Sequence, residues 1–352
     1  MSTFDLLADL PLTVDAYTLE GLEVDVSSRF TRKSTIVHLR GVGHEGVGED
    51  VVYEAEDQEA LQAAGPLQPV AGRWALGDFC AHIDALDLFP VEPRSGETSR
   101  LYRRWAFHSA ALDLALRQAG RPLHEVLGRS MQPLTFVVSM SLPDPPSIDA
   151  IAALQARYPT LRFKLDARAT WDDALVAALQ ATGAVDTLDY KGHYRGTVVD
   201  NPAAPDWYRR LAESFPDAWI EDPDLDALGI AEVLAGDHDR ITWDAPIHSI
   251  ADIEALPFAP KMVNVKPSRL GGLKRLCDAY DYCAEHGIRA YGGGQFELGA
   301  GRGQAQYLAS LFHPDTPNDL APSAYNAPVP ADGLPSSPLT PRPSATGFRW
   351  ES

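Results

Sequence analysis

The sequence predicts an α/β protein, a parallel (β/α) barrel preceded by an α+β region. Two observations predict the barrel. From about residue 134, short apolar runs alternate with amphipathic stretches. The runs are "LTFVVSMSL", "RFKLDA", "VDTLDYKG", "AWIEDP", "ITWDAP", "MVNVKP", "IRAYGGGQFE" and "NDLAPS"; "TWDDALVAALQATG" and "LKRLCDAYDYCAEHG" are typical of what lies between. Repeated strand–helix units imply a parallel sheet, and about eight strands in roughly 190 residues favour a closed barrel over an open sheet. The second observation is an absence. No GxGxxG opens the first unit, and "YGGGQFELGAGRG" comes too late in the chain for a dinucleotide fingerprint.

The elements before the barrel read differently. "LTVDAYTLEGLEV" partly alternates, and "STIVHLRGVGHEGVGEDVVY" reads as a hairpin with a Gly-rich turn. From Leu101 to Leu127 the pattern is helical, with Gly120 and Pro122 marking its end. The Pro- and Ser-rich tail from Pro328 is expected to pack back on this opening region or to fray.

Composition narrows the function classes. The 352 residues carry a formal net charge of −19, which disfavours nucleic acid and anionic membranes as partners. No run approaches the ~18 apolar residues of a membrane span. The N-terminus lacks the basic and apolar regions of a signal peptide, so a cytoplasmic location is expected. Cys80, Cys277 and Cys283 lack CxxC spacing, which argues against a disulfide framework or a zinc site.

Five charged residues end five successive predicted strands: Lys164, Asp189, Glu221, Asp244 and Lys266. Their spacings of 25, 32, 23 and 22 residues approximate one βα unit each. The C-terminal ends of barrel strands are where such enzymes keep their sites. The second and sixth strands of an eight-stranded barrel face each other, with the third to fifth between them. Three carboxylates on adjacent strands can converge on one hard cation, Mg²⁺ or its substitute Mn²⁺. A substrate carboxylate on that ion would hold its α-carbon between two amines. The metal would supply charge for an enolate, and a lysine of lowered pKa would take the α-proton. The bland alternative for each residue is a helix cap or a solvated loop group.

These motifs resemble the enolase superfamily, in particular its muconate-lactonizing-enzyme subgroup, and the resemblance spans most of the chain. "RFK", "DYK", "EDP", "DA" and "KPSRLGG" correspond in order to that family's K-x-K, D-x-N, E-[DQ]-P, D-E and K-x-x-x-x-G-G. "GVGHEGVGED" resembles its capping-domain hairpin, "AALDLALRQAGRPLHEVLG" its capping helix, and "GGGQFELGAGRG" the seventh-strand region of o-succinylbenzoate synthases and N-succinylamino acid racemases. The resemblance implies a modified TIM barrel, (β/α)7β, over residues 131–325. It implies an α+β capping domain over residues 1–130, completed by residues 326–352. It implies Asp189, Glu221 and Asp244 as metal ligands and Lys164 and Lys266 as the acid/base pair.

The chain also departs from the pattern. Arg162 stands where the first lysine of K-x-K belongs, Lys191 replaces the Asn, and Ala245 replaces the Glu after Asp244. Lys191 could weaken metal binding, pair with Asp222 or hold a substrate anion. The stretch "GHYRGTVVDNPAAPDW" could cover the site. Arg162, Lys191, Ser139, Ser141, Gln295, Glu297 and, in "SSRFTRK", Arg29 and Phe30 are the candidate substrate contacts. His193 and His248 read as loop histidines or catalytic groups. The pair of glycines after Lys266 is expected to keep the turn tight while a substrate approaches the backbone.

The expected activity is Mg²⁺-dependent removal of an α-proton from a small-molecule carboxylate, by an o-succinylbenzoate synthase or N-acylamino acid racemase type of enzyme. The alternatives are a muconate cycloisomerase or dipeptide epimerase type, and a non-catalytic metal- or ligand-binding barrel. "TPNDLAP" lacks the D-x-D that dipeptide epimerases use. A homo-oligomer is compatible with this reading.

Overall fold

A computed structural model describes residues 1–27, 30–197, 199–327 and 331–350. The opening region holds β1 (Pro11–Val14), β2 (Ala16–Ser27), β3 (Phe30–Gly41), β4 (His44–Asp50) and β5 (Gly72–Ala75). β2, β3 and β4 form an antiparallel meander, and β1 pairs with β5. The turn between β3 and β4 uses Val42 and Gly43, both at positive φ. The other glycines of that hairpin do different work. A Cβ at Gly46 or Gly48 would collide with the carbonyl of Ala110 or Ala106, so these glycines let the helix Gly96–Gln118 lie directly on β4. That helix also carries Arg103, fully buried, whose guanidinium meets Asp50 at 2.7 Å and stacks over Phe89.

The barrel strands are β6 (Val138–Met140), β7 (Phe163–Asp166), β8 (Val185–Asp189), β9 (Trp219–Glu221), β10 (Ile241–Trp243), β11 (Met262–Asn264) and β12 (Arg289–Tyr291). They form one seven-stranded sheet in sequence order, with every neighbouring pair parallel. The modified-barrel class expected from the sequence is the one found. The helices between strands follow their local signals. Asp172 caps Asp173–Thr182 by accepting the Leu175 N–H at 2.8 Å, and Gly183 ends that helix at φ 62°.

"NDLAPS", expected as a strand, contributes single bridges instead. Asn318 bridges to Phe136 and Asp319 to Gly293, so two residues join the two edges of the sheet. The Asn318 side chain holds the seam. Its Oδ1 accepts from Gly292 N at 2.6 Å and from His313 Nδ1 at 2.7 Å, and its Nδ2 donates to the carbonyls of Thr135, His313 and Thr316. The tail packs back on the opening region. Phe348 N and Arg349 Nε both donate to the buried carboxylate of Asp113 on the long helix.

The glycine pair after Lys266 has a structural role. Gly271 sits at φ 72° and ends the one-turn helix Pro267–Leu270. A Cβ there would lie 2.6 Å from Leu101. The close approach is by the long helix, where the sequence suggested a substrate.

His313 gives a prediction. Burial pushes its pKa down to about 4, against the pull of its bond to Asn318. The neutral ring therefore stabilises the fold fully above the unfolded value near 6.5, and that contribution is lost as pH falls through 4. His313→Gln should make unfolding less acid-sensitive. Between pH 7 and 4 the wild type should lose roughly 3 kcal/mol more than the variant in chemical denaturation.

Candidate active site

Register decides which side chains meet at the barrel mouth. Lys164 lies beside Thr187, Asp166 beside Asp189, and Asp189 beside Glu221. Side chains two apart on a strand share a face, so Lys164 stands one pair deeper than the Asp189 level and Asp166 stands at it. Lys164 donates to Glu221 and lies 3.4 Å from Asp189 and 3.6 Å from Asp319. Lys266 follows β11, four strands from β7 in the sheet, and its Nζ meets Asp244 at 2.7 Å. The expected residues Lys164, Asp189, Glu221, Asp244 and Lys266 are all buried at this mouth.

The carboxylates divide into two groups. Oxygens of Asp189, Glu221 and Asp222 lie within 4.8 Å of one another, a separation that one ion could bridge. Asp244, expected as the third ligand, is paired with both Lys266 and Arg269. It stays close to the first group because Asp222 accepts the N–H groups of Asp244 and Ala245, each at 2.9 Å. Tyr291 donates to Glu221 at 2.7 Å.

Other sequence candidates fall elsewhere. Arg162 is exposed just before β7, where it pairs with Asp186 and donates to the Gly183 carbonyl; the inward residues of β7 are Lys164 and Asp166. Lys191 does not pair with Asp222. It meets Asp189 at 2.5 Å and Asp166 at 3.1 Å. Ser139 lies beside Lys164 on β6, and Ser141 donates to Asp166. Gln295 is buried with its Nε2 unpartnered, while Glu297 turns to Arg302 and to the Gln295 N–H. Phe30 is exposed at the start of β3, and Arg29 lies outside the described residues. His193 is exposed, and His248 rests against the Pro246 carbonyl. In the stretch after β8, Tyr194 places its ring 5.6 Å from the Lys191 amine, and Arg195 pairs with Asp224.

Sequence reasoning missed Asp166, Asp319 and Arg269. Each had a signal: Asp166 follows Lys164 by two, Asp319 lies in the eighth apolar run, and Arg269 sits inside "KPSRLGG". It also passed over Asn264, which precedes Lys266 by two. Both polar atoms of its buried amide lack a partner.

Charge is nearly balanced here. Asp166, Asp189, Glu221, Asp222, Asp244 and Asp319 face Lys164, Lys191, Lys266 and Arg269. The excess is two negative charges, the charge of one divalent cation. Burial opposes ionisation throughout, and the partners decide the outcome. Lys191 and Lys164 hold Asp189 down at about 2, and Arg269 and Lys266 hold Asp244 lower still. Glu221 is pushed well up by burial and by Asp189 and Asp244, despite Lys164. Asp222 is pushed up to about 6 by burial, then by Asp244 and Asp189. Lys164 is raised, because Glu221, Asp189 and Asp319 outweigh its burial. Lys266 is lowered by burial, with Arg269 and Lys164 opposing Asp244. An all-oxygen, net-anionic donor set fits a hard divalent cation.

Residues 5–126 and 130–327 match the N-terminal and C-terminal domains of a family described as domain of unknown function DUF8230. The chain belongs to the DUF8230 family. This DUF8230 chain is 32% identical over 226 residues to an N-succinylamino acid racemase of Amycolatopsis sp, covering 62% of the chain and 60% of that relative. It is 27% identical over 341 residues to an o-succinylbenzoate synthase of Geobacillus stearothermophilus, covering 90% and 86%. Among solved structures, a member of the enolase superfamily from Listeria innocua superposes with a TM-score of 0.63 at 18% identity, covering 89% and 86%. A dipeptide epimerase of Methylococcus capsulatus complexed with a Mg ion superposes with a TM-score of 0.67 at 21% identity, covering 95% and 99%. The DUF8230 chain thus has the enolase-superfamily fold that its strand-tip motifs resemble. No helix among its described residues is long and apolar enough to cross a membrane.

The raised acids make a prediction. An ion held at this cluster would meet Glu221 and Asp222 as carboxylates, and so would displace the protons they retain. Calorimetry of Mn²⁺ binding in buffers of different ionisation heat should show more protons released at pH 6 than at pH 8. Affinity should fall by about tenfold per pH unit for each proton displaced as pH drops through 6.

Proposed function

We propose that this protein is a Mg²⁺-dependent enzyme that removes the α-proton of a small carboxylate substrate, of the N-succinylamino acid racemase or o-succinylbenzoate synthase type. The observation that carries the reading is the carboxylate cluster flanked by two buried lysines whose pKa values are driven apart. The relatives' names supply the substrate class. The division into a capping region, residues 1–130 with 326–352, and a barrel, residues 131–325, belongs to the same proposal.

When bound, the divalent cation supplies the positive charge against which an α-carboxylate becomes a better carbon acid. We assign Asp189 and Glu221 as two of its ligands and Asp244 as the third, with Asp222 bracketing Asp244 through the two N–H bonds. A competing assignment gives the third place to Asp222, because its oxygen lies in the cluster. Lys266, the amine of lowered pKa, takes the α-proton. Lys164 remains charged and steadies the developing negative charge from the opposite side. Asn264, the last residue of β11, offers its unpartnered amide beside the Lys266 side chain, both lying against Gly293.

Two experiments test these assignments. Glu221→Gln should weaken Mn²⁺ binding by about tenfold or more, on the scale of losing one charged partner. Asp244→Asn should weaken it more than Asp222→Asn, and the reverse order would move the third ligand to Asp222. The second experiment follows α-proton exchange in D₂O by NMR on N-succinylamino acids. Lys266→Ala should abolish exchange, and Lys164→Ala should slow it by about 10²–10³-fold. Loss of one enantiomer in each variant would instead identify two-base racemisation, and full exchange in both would remove the lysines from catalysis. No exchange by the wild type on any carboxylate of this class would favour a binding protein.

A further inference from the structure

Each of the two lysines on the β7–β8 side of the mouth spans two kinds of carboxylate. Lys191 Nζ lies 2.5 Å from Asp189 and 3.1 Å from Asp166 Oδ1. Lys164 Nζ donates to Glu221, lies 3.4 Å from Asp189, and lies 3.6 Å from Asp319. Both amines therefore occupy the oxygens that a cation would need, Asp189 and Glu221. An ammonium and a divalent ion on the same carboxylate oxygen repel each other strongly in a buried site. Asp166 and Asp319 are outside the ion-sized cluster, and each is held in place. Asp166 uses its Oδ2 for the Ser141 hydroxyl, leaving Oδ1 to Lys191. Asp319 is pinned by its backbone between Gly292 and Gly294. Lys191 itself sits at φ 56°, unusual for a lysine, with its N–H on the other oxygen of Asp189.

We propose that Asp166 and Asp319 are positioning residues that receive Lys191 and Lys164 when a divalent cation takes Asp189 and Glu221. The proposal rests on the metal site assigned above. Its consequence is that neither amine leaves the mouth when the ion binds. Each keeps a counter-ion a short swing away, and both remain as cations facing the bound carboxylate.

The test is Mn²⁺ binding to the full chain, by calorimetry and by the EPR signal of free Mn²⁺, with no substrate present. Lys191→Met should tighten binding several-fold. Asp166→Asn should weaken it by about fivefold or more, because the displaced amine then has no other partner. The double variant Asp166→Asn/Lys191→Met should bind like Lys191→Met, within about twofold, because Asp166 acts through the lysine. An Asp166→Asn variant with unchanged affinity overturns the proposal. So does a double variant weakened as much relative to Lys191→Met as the single is relative to wild type, since Asp166 would then act on the ion directly. Asp319→Asn with Lys164→Met forms an independent cycle on the other lysine, should the Asp166 variant fail to fold. Wild-type protein that binds no Mn²⁺, or a Glu221→Gln variant that binds it unchanged, overturns the metal site and this proposal together. Normal wild-type binding with an additive cycle overturns the hand-over alone.

Discussion

Glu221 is fully buried, yet it accepts from Lys164 and from the Tyr291 hydroxyl and lies in a cluster with two further acids. A carboxylate cannot be buried without compensation, and most of the mouth is arranged around that requirement. Each acid at the tips of β8, β9 and β10 is matched by an amine, a guanidinium or a pair of backbone N–H groups. Because compensation stops two charges short of neutrality, the remaining acids keep raised pKa values. The charge missing from the cluster is the charge that one divalent cation would supply.

The mouth needs a closed wall, and closure is local. Seven strands leave a gap that two residues fill, with one asparagine side chain serving both edges. That economy has a chemical effect. The residue next to the asparagine is Asp319, so the seam that closes the barrel also delivers a carboxylate to Lys164. Scaffold and site share the same few residues here.

Much of this was legible in the sequence. Alternating strand and helix texture gave the barrel class, and the strand-tip spacing singled out Lys164, Asp189, Glu221, Asp244 and Lys266, all of which meet at the mouth. Arg162 shows what spacing cannot give. Arg162 lies just before β7 and pairs with Asp186, the extra residue that β8 inserts between Val185 and Thr187, so its outward course depends on the pairing with β8. Lys191 was legible as a misplaced cation, but its partners were not, because its backbone turns into the left-handed region after β8. Gly46, Gly48 and Gly271 looked like turn residues. Their real constraint is the neighbouring long helix, a contact that no local pattern encodes.

The opening region also grips the barrel. Glu49 on β4 accepts the N–H groups of Leu298, Gly299 and Gly301, and Arg32 on β3 donates to the carbonyls of Gln295 and Phe296. Glu49 and Leu298 are 249 residues apart in the chain. During synthesis the N-terminal strands emerge with these two charges facing an interface that does not yet exist. At about 5–20 residues per second they wait roughly 10–50 s for their partners. Until then Arg32 has the Val51 and Val52 carbonyls and Glu49 has the Ser34 hydroxyl as partners within the opening region. These bonds between the opening region and the barrel can therefore form only after the segment that follows the seventh barrel strand has been made.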